Sequence, residues 1–99
     1  MLYMVVERFE DGDMAPVYRR LAERGRMLPD GVRYVASWVA ADFSACWQVM
    51  ECEDPAQLDV WMTVWAGAGV RFENVIPVLT SEDARAAWAA RAESGQREM

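Results

Sequence analysis

Residues 32–52, VRYVASWVAADFSACWQVMEC, followed almost at once by Asp54-Pro55, decide the fold. Two runs, 32–39 and 45–52, are rich in β-branched and aromatic residues, and a short polar link around Asp42 joins them. So tight a connection between two strands makes an antiparallel hairpin. Asp54-Pro55 then starts a helix, with Asp as cap and Pro in the first turn, where its missing N–H costs nothing. Leu58, Trp61, Met62 and Trp65 form the apolar stripe of that helix, and Gly67 and Gly69 end it.

The flanks repeat the alternation. Residues 2–9, LYMVVERF, read as a strand, and Glu10-Asp11-Gly12 as a turn. Asp13 caps a helix whose Val17, Tyr18, Leu21 and Ala22 oppose Arg19, Arg20, Glu23 and Arg24, and Gly25 stops it. After the second helix, residues 72–79 form a fourth strand. Pro77 lies inside it and has no N–H to give a ladder, so this strand belongs on a sheet edge. Ser81 caps a last helix anchored by Trp88, and residues 93–99 read as a polar tail behind a domain of residues 1–92. The order β-α-β-β-α-β plus a C-terminal helix predicts an α+β, ferredoxin-like sandwich with an antiparallel sheet of order 4-1-3-2. That order independently places the strand carrying Pro77 at an edge.

The strands are apolar on both sides. Leu2, Met4 and Val6 alternate with Tyr3 and Val5, and Tyr34 and Trp38 alternate with Val35 and Val39. Helices cover one sheet face only, and a strand apolar on both faces requires burial on both. A second copy packed sheet to sheet satisfies this, so a homodimer is expected.

Composition narrows the chemistry. The 99 residues contain no His, and all ten basic residues are Arg. The usual general base and metal ligand is therefore missing, and so are Schiff-base and P-loop lysines. A net charge of −6 argues against nucleic-acid binding. Cys46 and Cys52, on one strand, lie about 20 Å apart at ~3.3 Å per residue, so no bridge joins them within it. With no signal-like or long apolar segment, a cytoplasmic protein that avoids membranes is expected. Neither a metal nor a cofactor is implied: successive residues Glu51, Cys52, Glu53 and Asp54 do not converge, and no Gly-rich phosphate loop exists.

The segments MLYMVVERF, PVYRRLAERGRMLPDGVRYVASWV, CWQVMECEDPAQLDVW and VIPVLTSEDA occur in an order and spacing that covers residues 1–87. The fold pattern resembles the dimeric α/β barrel superfamily. The segments are similar to a bacterial domain-of-unknown-function family, number three thousand three hundred and three. The superfamily resemblance implies an aromatic-lined pocket between sheet and helices or at the barrel mouth, and it covers monooxygenases, isomerases and haem enzymes alike. Without His, the haem branch is disfavoured.

Polar residues on otherwise apolar strands are the candidates for a site. Glu7 is the candidate acid or base, as a carboxylate whose pKa burial would raise. Gln48, between Trp47 and Val49, is a candidate to orient a ligand. Glu51 resembles Glu7 but lies near a strand end. A strand pairing centred on Val6 and Gln48 leaves Glu7 and Glu51 at opposite ends, which disfavours a two-carboxylate mechanism. Trp38 and Trp61 are candidate pocket walls, and Tyr18 or Tyr34 a candidate polar tip. Arg19, Arg20, Arg24 and Arg26 read as a solvated helix face, and the cysteines as small buried hydrophobes. The leading expectation is a homodimeric barrel that binds a small apolar or aromatic molecule. An alternative is a cofactor-independent monooxygenase, isomerase or cyclase acting on an aromatic or polyketide-like substrate through Glu7. A structural or partner-binding protein is a further reading.

Overall fold

The computed structural model describes residues 1–98, with side chains described for residues 1–93. Strand β1 (Leu2–Phe9) leads through a short 3-10 turn into helix α1 (Ala15–Arg24). The hairpin β2 (Arg33–Val39) and β3 (Ala45–Glu51) follows, then α2 (Ala56–Ala66), β4 (Val70–Val78) and α3 (Ser81–Glu98). All pairings are antiparallel, and the sheet runs β2-β3-β1-β4. This is the order 4-1-3-2 read from the other edge. Edge strand β4 carries Pro77 opposite Tyr3 of β1.

Local signals set the boundaries. Asp54 Oδ1 accepts the Ala56 N–H at 2.9 Å, and Asp13 Oδ1 accepts the Ala15 N–H at 3.0 Å. Gly25, at φ +66°, ends α1 in a conformation that side chains with a Cβ rarely adopt. The cap of α3 differs from expectation. Thr80, not Ser81, accepts the Asp83 N–H through its hydroxyl, at 3.0 Å, because the helix begins one residue earlier in the capping frame. The polar tail expected at 93–99 falls on the end of α3 and on Met99, which lies outside the described residues.

The core lies between α1, α2 and one sheet face. Tyr3, Val5, Met50, Leu58, Trp61 and Trp65 are buried there. β1 alternates strictly, with Tyr3, Val5, Glu7 and Phe9 buried toward the helices. Leu2, Met4 and Val6 point the other way, level with Val78, Ile76, Val49 and Trp47 on the flanking strands. Trp38 pairs with Trp47 on this open face and is 58% exposed.

The register of β1 against β3 differs by one residue from the sequence expectation. Gln48 pairs with Val5, not Val6. Because side chains alternate, that single step moves Gln48 onto the face that holds Glu7. No described helix is long and apolar enough to cross a membrane.

Candidate functional site

Glu7 is 4% exposed, a carboxylate in the middle of an apolar layer. Burial outweighs all else around it and pushes its pKa above the ordinary glutamate value. Three neighbours act in the opposite direction: Gln48, the Cys46 thiol and the Arg26 guanidinium. The Gln48 amide donates to both carboxylate oxygens, at 3.0 and 3.1 Å. Cys46 pairs directly with Glu7 across the ladder. Burial, then the facing carboxylate, pushes its thiol up to about 12, so it remains a neutral donor.

Gln48 is the middle of a chain. Its carbonyl oxygen accepts from Arg26 Nη1 at 3.4 Å, while its amide serves Glu7. Arg26 has left the α1 face on which its neighbours lie, since Gly25 breaks the helix immediately before it. Its guanidinium carbon stands 3.6 Å from the centre of the Tyr34 ring, a close cation–π stack. Its own carbonyl accepts from two indoles, Trp61 Nε1 at 3.1 Å and Trp65 Nε1 at 3.0 Å. The next residue, Met27, is held at φ +54°, a left-handed conformation unusual for a residue with a side chain. The loop is therefore fixed at both its backbone and its charged end.

These groups surround a half-open cleft of about 50 Å³. Glu7, Gln48 and Arg26 form its polar floor; Val17 and Leu21 of α1, Trp61 and Trp65 of α2, and Val70 form its walls. Such a volume takes on the order of three to five water-sized atoms. A larger groove of about 460 Å³ runs between α1 and residues 67–69, lined by Arg19, Arg20, Glu23 and Arg24. It is a surface trough of solvated charges, in which Arg20 caps the end of α2 by donating to the Val64 carbonyl at 2.7 Å.

Of the residues singled out from the sequence, Glu7, Gln48 and Trp61 meet in the cleft. Tyr34 lies beside it, beneath Arg26, with its hydroxyl 2.7 Å from that of Ser37. Three others lie elsewhere. Trp38 is on the open sheet face, Tyr18 is exposed on the outer side of α1, and Glu51 is ion-paired with Arg33 at 3.1 Å on the open face. Glu7 and Glu51 belong to opposite faces, since Glu51 pairs with Leu2 and Glu7 with Cys46. Arg26 and Trp65 complete the constellation. Arg26 could have been separated from the basic run by the Gly25 that precedes it.

A family model described as a domain of unknown function (DUF3303) matches residues 1–92. The chain belongs to the DUF3303 family. The match spans the whole sheet and all but the end of α3. The α+β fold with its four-stranded antiparallel sheet is consistent with the ferredoxin-like superfamily that the sequence resembles. No curated protein and no solved structure matches the chain. DUF3303 membership thus assigns a family and leaves activity to be argued from the cleft.

Proposed function

We propose that the protein is a homodimeric α/β barrel that takes up a small, largely apolar or aromatic molecule in the cleft between its sheet and helices. The observation that carries this reading is the linked set Arg26, Gln48 and Glu7 on the floor of a cleft walled by Trp61, Trp65, Val17 and Leu21. Few convergent polar groups within apolar walls are the usual make-up of a small-molecule site. A core built only for stability has no use for a buried carboxylate, which costs more than an apolar residue of the same shape.

The test is uptake by the full chain. Small aromatic alcohols, amides and acids are titrated while thermal unfolding and tryptophan fluorescence are followed. A ligand that binds the folded state raises Tm with concentration. Val17→Phe, which fills the cleft, should abolish a saturable response. No saturable response from any member of the panel overturns the reading.

Glu7 itself favours a second reading, a cofactor-independent enzyme. Its burial raises its pKa above the ordinary glutamate value, the direction that suits a carboxyl serving as a general acid or base. Under this reading Glu7→Gln loses turnover and keeps ligand affinity.

A further inference from the structure

Arg26 is half-buried beside an apolar cleft, yet it has no carboxylate partner. The ion pairs among the described residues are Arg8 with Glu73 and Arg33 with Glu51, both on the open face. Glu7 does not fill the role, because Gln48 stands between the two and relays one to the other. Beyond its bond to Gln48, no other N–H of the Arg26 guanidinium has a hydrogen-bond partner among the described residues. Tyr34 stacks beneath the guanidinium and Gln48 bonds it, while the two indoles hold the Arg26 backbone through its carbonyl. A fixed, partly desolvated guanidinium fork with free donors matches the planar geometry of a carboxylate.

We propose that the cleft selects a monocarboxylate whose anionic head lies on the free N–H groups of Arg26 while a short apolar or aromatic body leaves along the walls of Trp61, Trp65, Val17 and Leu21. This rests on the reading of the cleft as a ligand site and names its ligand class. The size agrees: about 50 Å³ at the floor takes a head of a few heavy atoms, and the half-open mouth lets the apolar body extend outward past the walls. Electrostatics agree as well. The groups facing Glu7 are Arg26 from the loop after α1, Gln48 and the neutral Cys46 thiol from β3, and otherwise apolar residues of α1, α2 and β4. Burial favours the protonated Glu7, and a protonated Glu7 leaves the floor with one net positive charge and an added donor. An anion there strengthens that preference, so binding takes up a proton where Glu7 would otherwise be ionised.

Benzoate and its neutral isostere benzamide test this on the intact chain by calorimetry. Benzoate is expected to bind on the order of ten- to a hundredfold more tightly, as charge-assisted hydrogen bonds require. Arg26→Gln should weaken benzoate far more than benzamide and bring the two affinities together; Arg26→Lys, which keeps charge but not the fork, should leave benzoate between wild type and Arg26→Gln. Benzoate affinity should rise as pH falls through the Glu7 titration, and Glu7→Gln should remove that slope. Equal binding of the two probes overturns the carboxylate assignment and leaves the ligand site standing. Failure of both probes, with the wider aromatic panel also silent, overturns the site itself.

Discussion

The Gln48 side-chain amide donates to both oxygens of the Glu7 carboxylate, and both residues are almost wholly buried. Burial of Glu7, which the Gln48 bond offsets only in part, governs how stability depends on pH. Glu7 has a folded pKa raised above its unfolded value, chiefly by burial. Its protonated form is therefore the one the fold prefers. The sign follows from proton binding: between the two pKa values the folded state holds more protons, so stability falls as pH rises through that window. Glu7→Gln lacks the penalty. The difference in Tm between wild type and Glu7→Gln should be pH-independent at acid pH, turn against wild type as pH rises, and then level off. A difference that is flat from pH 4 to pH 8 would contradict a raised pKa.

Gln48→Leu removes the amide that stabilises the charged carboxylate. The bond to Gln48 is the largest influence holding the Glu7 pKa down, so its loss moves the Glu7 titration further up. The variant should also lose about 1–3 kcal/mol at neutral pH, the cost of a buried polar group left without its partner. Carbon-13 NMR of the Glu7 carboxyl would read the shift directly, and chemical denaturation the stability.

Trp61 and Trp65 share one acceptor, the Arg26 carbonyl. Either indole alone keeps that oxygen satisfied. Trp61→Phe and Trp65→Phe should each lose about 1 kcal/mol from the hydrogen bond, in addition to their packing costs. The double variant should lose more than the sum, because only then is the carbonyl orphaned. A double-mutant cycle measures this coupling, and strict additivity would show that the two bonds are independent.

On the open sheet face, Leu2, Met4, Val6, Trp47, Val49 and Ile76 form an apolar layer across three strands, and Trp38 extends it onto the fourth. Met4→Arg places a charge at its centre. Sedimentation equilibrium at micromolar concentration should give twice the 11.2 kDa chain mass for wild type and the single mass for a still-folded Met4→Arg. A wild-type chain that sediments as an 11.2 kDa monomer would exclude the sheet-to-sheet dimer.

The described side chains of helix α3, residues 81–93, are all exposed: Trp88 is 67% exposed, with Arg91 stacked near its ring. Thr80 caps it. Thr80→Ala should cost about 1 kcal/mol, the usual value of an N-cap. The loss should appear in far-ultraviolet circular dichroism and amide exchange of α3, with little change in the main unfolding transition, because an unpacked helix opens by itself.

The alternation of apolar residues, the Asp54-Pro55 helix start and the Pro77 edge signal were enough to specify the element order and the neighbours within the sheet. These are local properties: capping, proline's missing donor and the two-residue period act within a few positions of the chain. The polar residues of strands β1 and β3 were likewise legible, since Glu7 and Gln48 interrupt apolar runs wherever the strands end up. What the sequence could not decide was which of them share a face. The step from Val6 to Val5 opposite Gln48 brought Gln48 to Glu7, and the same two-sided alternation placed Trp38 and Glu51 on the face away from the cleft. Arg26 became part of the site through contacts separated by up to 39 residues, from its carbonyl to Trp65. Such pairings depend on register and on how helices dock, which no local pattern encodes. The sequence determined the sheet and its neighbours; the tertiary packing decided that Glu7, Gln48 and Arg26 form one chain of hydrogen bonds beneath two indoles.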